Sequence, residues 1–101
     1  IRAVDLISPF LSEDARDFVK NNQDQWDYIV IDLWKGAKIC DFIFEKEFAD
    51  NLRRISSGLI CMNIPITATD KKMLVYFDAG FKYERHDIVE DNAVVFWSIK
   101  N

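Results

Sequence analysis

Residues 26–32 read Trp26-Asp27-Tyr28-Ile29-Val30-Ile31-Asp32, four consecutive apolar residues between two aspartates, with β-branched Ile29, Val30 and Ile31 among them. A short apolar run without alternation is the pattern of a strand buried on both faces, as in a parallel sheet. A second such run, Leu59-Ile60-Cys61-Met62, lies downstream. Between the two runs the period changes. The polar stretch Lys35-Gly36-Ala37-Lys38 reads as a loop, and Phe44, Phe48, Leu52 and Ile55 then recur at i, i+4, i+8 and i+11, one stripe of an amphipathic helix.

The same alternation extends outward in both directions. Upstream, Ser12, Glu13 and Asp14 start a helix with a serine cap and acids in its first turn. Ala15, Phe18 and Val19 follow at helical spacing, Asn21-Asn22-Gln23-Asp24 ends the helix, and a short strand is expected around Ala3-Val4-Asp5-Leu6. Downstream, Ser56-Ser57-Gly58 stops the second helix. Thr69-Asp70 starts a third, carrying Met73, Leu74 and Phe77, with Gly80 at its C′ position. Residues 81–88 and 93–99 flank Glu90-Asp91-Asn92, a hairpin turn. Helix alternating with strand predicts an α/β domain with a mostly parallel sheet, to which the final hairpin adds an antiparallel strand.

Composition bounds the class. The chain has 101 residues, enough for one domain but not for two independent cores. Eight Phe and three Trp exclude a disordered chain, and three Gly and two Pro exclude a linker-like polymer. No apolar run reaches the ~18–20 residues of a membrane helix. A net charge of −4 disfavours a broad nucleic-acid or anionic-membrane surface. Two cysteines make no disulfide framework, so the cytoplasm is the expected compartment. The chain begins at Ile1 rather than Met, which suggests a segment of a longer protein.

In open parallel sheets, ligands bind at the carboxyl ends of the strands. Asp32 stands at such an end, where a carboxylate accepts a proton or pairs with an amine; an ordinary strand-end Asx turn is the competing reading. Asp14 approaches the same crevice from the first helix, or simply serves the helix dipole. Trp34 either stacks on a planar ligand or covers the sheet edge. His86 reads as a surface strand residue, Cys61 as a small core residue, Phe44 and Phe48 as core. Cys40 and Cys61 lack the partners of a zinc site. Neither Gly-x-Gly-x-x-Gly nor a phosphate-binding loop occurs.

The string Asp14-Ala15-Arg16-Asp17-Phe18-Val19, a polar stretch, then Trp26-Asp27-Tyr28-Ile29-Val30-Ile31-Asp32 resembles the middle of spermidine synthases. These polyamine aminopropyltransferases share the Rossmann-like fold of class I S-adenosylmethionine-dependent methyltransferases. The order continues through the second helix, Ser57-Gly58-Leu59-Ile60, and Ala79-Gly80-Phe81 before the terminal hairpin. The resemblance implies the C-terminal half of such a fold, with S-adenosylmethionine or its decarboxylated form as cofactor. It implies cofactor contacts at Asp14, Ala15, Leu33 and Trp34. Asp32 would be the catalytic carboxylate that orients or deprotonates an attacking amine.

Two departures shape the expectation. Leu33-Trp34-Lys35-Gly36 stands where aminopropyl-transfer members carry Ser-Ser-Asp-Pro, so Lys35 places a positive charge where the family has a second carboxylate. That charge argues against a cationic diamine. The glycine-rich half is absent, so either it or a second copy is expected to cover the exposed sheet edge. The implied function is the C-terminal part of an alkyl (methyl or aminopropyl) transferase, inactive alone, acting on a small acceptor and binding neither nucleic acid nor membrane. The alternative is a non-catalytic interaction or assembly module. A phospho-receiver reading fails for want of the paired early acids and the late Lys-Pro.

Overall fold

The computed structural model describes residues 1–7, 12–89 and 91–100, with side chains at 1–6, 15–86 and 91–100. In chain order the elements are β1 (Ala3–Ile7), α1 (Ser12–Asn21), β2 (Trp26–Asp32), β3 (Trp34–Lys35), β4 (Lys38–Ile39), one 3-10 turn (Asp41–Phe44), α2 (Lys46–Ile55), β5 (Ser56–Pro65), α3 (Asp70–Asp78), β6 (Phe81–Val89) and β7 (Asn92–Ile99). Five strands form one sheet in the order β1-β2-β5-β7-β6, and β3 and β4 form a separate two-stranded hairpin. β1 pairs parallel with β2 and β2 with β5, whereas β7 pairs antiparallel with both β5 and β6. By its pairings the sheet is mixed rather than mostly parallel, although β7 is the only strand that runs against the rest.

The terminal hairpin does not simply append its strands in chain order. β7 inserts beside β5, and β6 takes the edge. Side-chain chemistry explains the exchange. In β7, Ala93, Val95 and Trp97 are fully buried, while apolar Val94 and Phe96 occupy the opposite face, so both faces suit a central strand. In β6, Lys82, Glu84 and His86 alternate along an exposed face, and charged residues protect an edge from further pairing.

The helices line up on one face of the sheet: α1 packs on α2, and α2 on α3. Beneath them lies the core, with Ile29 and Ile31 of β2, Ile60, Met62 and Ile64 of β5, and Val95 and Trp97 of β7 all buried. Trp97 stacks on Tyr76 of α3 at a centroid distance of 4.7 Å, and the Tyr76 hydroxyl donates to the Ile43 carbonyl at 2.5 Å. Arg54 ties α2 to the end of α1. Its guanidinium donates to the carbonyls of Val19, Lys20 and Asn22, which the last turn of a helix leaves without intrahelical partners.

Several expectations change here. β2 and β5 are buried on one face, not two. Tyr28, Val30 and Cys61 are half-buried and Leu59 is 38% exposed, because no helix among the described residues covers their side of the sheet. Cys61 is therefore a residue of the open face rather than of the core. The loop expected at Lys35-Gly36-Ala37-Lys38 is the turn of the β3–β4 hairpin, closed by Gly36 at φ +65°. Phe48 is buried, but Phe44 lies in the 3-10 turn ahead of α2, half-buried beneath the Lys72 ammonium. In α3, Met73 and Tyr76 face the core and Leu74 points outward, 51% exposed. The side chains of Ser12, Glu13 and Asp14, and Glu90 of the hairpin turn, lie outside the described residues. No helix among the described residues is long and apolar enough to cross a membrane.

Helix α2 ends at Ile55 as expected, but Ser56-Ser57-Gly58 does not form a stop loop; the strand begins at once. Gly58 serves a different purpose. A Cβ on it would stand 2.3 Å from the carbonyl oxygen of Asp27, where the β2–β5 register shifts. Gly58→Ala must force the two central strands apart and should cost about 1–3 kcal/mol in chemical denaturation. Ser56→Ala is the contrasting case. The Ser56 hydroxyl is buried and has no hydrogen-bond partner among the described residues. Removing it should leave stability unchanged or raise it by up to ~1 kcal/mol, and a clear loss would reveal a partner.

Candidate functional site

At the carboxyl ends of β2 and β5, three segments converge. Asp32 is the last residue of β2 and Asn63 sits beside it on β5, on the open face of the sheet. Their side chains meet: Asn63 Nδ2 donates to Asp32 Oδ1 at 3.1 Å. The β3–β4 hairpin turns back over this point, and Trp34 Nε1 donates to the same Oδ1 at 2.6 Å. Two neutral donors thus fix one carboxylate oxygen, while Oδ2 accepts no hydrogen bond among the described residues. The turn of the β6–β7 hairpin brings Asp91 and Asn92 to the opposite wall, because Asn92 pairs with Pro65 at the end of β5.

Together Asp32, Trp34, Ala37, Asn63, Asp91 and Asn92 line a hollow of about 420 Å³. It continues past Trp34 into a second hollow of about 330 Å³ bounded by Ile39, Pro65 and Thr67, with Lys38 at its margin. The first hollow carries two carboxylates, two amides and an indole, and no cation. A carboxylate with one oxygen immobilised and the other free accepts a hydrogen bond or a proton from an amine, and an indole face attracts a cation.

The residues expected from sequence divide into two sets. Asp32 and Trp34 come together in the hollow. Ala15 and Leu33, each 1% exposed, turn their side chains into the core, and the Leu33 carbonyl already accepts the Cys40 N–H at 3.0 Å. Only backbone groups of these two residues remain for a ligand. Asp14 opens α1, and its side chain lies outside the described residues. Lys35 does not line the hollow around Asp32. It pairs across the hairpin with Lys38 and lines a separate hollow of about 250 Å³ with Cys40, Asp41 and Phe42. His86 is an exposed residue of β6, 3.5 Å from the Glu84 carboxylate.

Asp91 and Asn92 were not identified as site residues from the sequence. The turn itself is legible, but its distance from Asp32 closes only because β7 inserts next to β5. Lower on the open face, Tyr28 and Cys61 are neighbours. Partial burial pushes the pKa of both above the ordinary value, and at Cys61 the Asp32 charge adds to the effect while the contact with Tyr28 opposes it. Cys61 is thus a neutral thiol at neutral pH rather than an activated nucleophile. Among the described residues no three His, Cys, Asp or Glu side chains gather closely enough to hold a metal ion.

No protein-family model matches the chain, and no curated protein sequence matches it. The site therefore rests on its own geometry. If Oδ1 is the shared acceptor, Asp32→Ala should move the indole N–H resonance of Trp34 and the side-chain amide of Asn63 in a ¹⁵N correlation spectrum. Signals of α1 and β6 should stay in place. Unchanged Trp34 and Asn63 resonances would show that the two donors do not share the carboxylate in solution.

Proposed function

We propose that this chain is the acceptor-binding half of an S-adenosylmethionine-dependent alkyl transferase, similar to spermidine synthases, and that the hollow around Asp32 holds the attacking amine. The observation that carries the reading is the Asp32 carboxylate at the end of a central parallel strand, with Oδ1 held by Trp34 and Asn63 and Oδ2 left for a ligand. An acidic, indole-walled hollow that Lys35 does not line suits a small cationic amine, a diamine included. The position of β7 between β5 and β6 supports a methyltransferase-type arrangement of the terminal hairpin.

Bound S-adenosylmethionine, or its decarboxylated form, supplies an electrophilic carbon beside a sulfonium. Asp32 Oδ2 would accept the proton of an amine nitrogen that displaces the sulfonium sulfur from that carbon, the C–S bond breaking to leave a neutral thioether, while Trp34 and Asn63 would keep the carboxylate from rotating. The described residues fit the acceptor side better than the cofactor side. No glycine-rich turn is present to cradle a nucleoside, and Ala15 and Leu33 offer backbone only. In this reading the cofactor cradle belongs to a complementary half that joins at the free edge of β1, in the cytoplasm, where both thiols stay reduced.

A second reading, a non-catalytic interaction module, is favoured by one observation, the apolar residues left half-exposed on the open face. Titration separates the two. With putrescine as probe, the Trp34 and Asn63 side-chain signals should shift, and Asp32→Asn should weaken binding by about 10–100-fold, the scale of a lost hydrogen bond to a charged group. Methylthioadenosine should bind this chain weakly or not at all. No response to putrescine at ~10 mM, an affinity below any useful acceptor site, would favour the interaction module.

A further inference from the structure

The hollow around Asp32 is one end of a longer cleft whose charge changes sign along its length. It shares Trp34, Ala37, Asp91 and Asn92 with the second hollow, so a ligand can occupy both. The carboxylates of Asp32 and Asp91 mark the acidic end. Beyond them the wall turns apolar, with the Trp34 indole, buried Ile39, Pro65 at the end of β5 and Ile66 after it. Lys38 then brings a positive charge, and Thr67 adds a hydroxyl to the same hollow. Lys38 is exposed and stands directly opposite Lys35 across the β3–β4 hairpin. Like charges directly opposite in a hairpin are destabilising. Among the described residues no ion pair offsets them, although Asp41 lines the hollow that both lysines border.

We propose that the cleft takes a zwitterionic acceptor, with a primary amine at Asp32, an apolar body against Trp34 and Pro65, and a carboxylate bound by Lys38. The inference rests on the acceptor reading of the Asp32 hollow and names its substrate class. A diamine lying along the cleft would set its second ammonium beside Lys38, where like charges repel. A monoamine with an apolar tail would leave Lys38 without a counter-charge. A carboxylate answers Lys38 directly, accepts from the Thr67 hydroxyl and relieves the repulsion between Lys38 and Lys35. Trp34 then serves both parts of the ligand, its N–H fixing Asp32 and its ring meeting the apolar body. Lys38 is the specificity-determining residue. The net charge of −4 sharpens the inference, because the field of the whole chain favours a cation over an anion. A preference for the carboxylate must therefore come from a local positive group.

Three probes with one aromatic body and one primary amine test the proposal. Para-aminomethylbenzoate, para-xylylenediamine and para-methylbenzylamine differ in the distal group, which is a carboxylate, an aminomethyl or a methyl. Titrated into the 101-residue chain at low ionic strength, each should shift the Trp34 indole and Asn63 side-chain signals. The carboxylate probe should bind at least tenfold more tightly than the diamine. Lys38→Met, which keeps the apolar stem and removes the charge, should erase that preference, and Lys38→Arg should retain it. Lys82→Met, the same charge change at an exposed position of β6, should leave it intact. The proposal is overturned by a diamine that binds as tightly as the carboxylate probe, by a preference that survives Lys38→Met, or by one that Lys82→Met removes equally. If no probe moves Trp34 or Asn63, the acceptor reading itself fails and the zwitterion with it. If all three move them with equal affinity, the zwitterion alone falls.

Discussion

The register of β2 against β5 is the constraint on which the rest of the structure depends. Tyr28 pairs with Leu59, Ile29 with Ile60, Val30 with Cys61 and Ile31 with Met62. Side chains along a strand alternate between faces, so this one register sends Ile29, Ile31, Ile60 and Met62 under the helices together. It also sends Asp32 and Asn63 to the opposite face, close enough to bond. A slip of one residue would bury the aspartate beneath α2 and expose the isoleucines. Gly58 secures the register at its start, where the Asp27 carbonyl leaves no room for a side chain.

From that pairing the crevice is assembled by short connections. Leu33, buried on the helix side, anchors the chain directly after Asp32, and the tight β3–β4 turn then returns Trp34 to the carboxylate. The far wall depends on the hairpin inversion. Because β7 lies directly against β5, Asn92 pairs with Pro65 and the turn carrying Asp91 and Asn92 borders the hollow.

The two faces of the sheet show how far a helical layer must extend. On one side, burial is complete from Ile29 to Trp97, and the aromatic cluster of Tyr76, Phe81 and Trp97 closes the end of the layer. On the other side, the apolar residues of β2, β5 and β7 remain half-exposed. The same sequence therefore contains more strand-burying capacity than the three helices among the described residues use.

The sequence by itself determined the elements. Periodicity located α1, β2, α2, β5, α3 and the terminal strands, because apolar spacing records which residues must leave water, and that signal is local. It also marked Asp32 and Trp34, since strand ends are legible from a run that stops. It could not reveal that the strands are covered on one side only, that Lys35 and Asp32 line different hollows, or that Asp91 stands across from Asp32. Those facts belong to the tertiary structure. They depend on which strand neighbours which and on which face a helix settles, and both are decided by contacts between residues tens of positions apart.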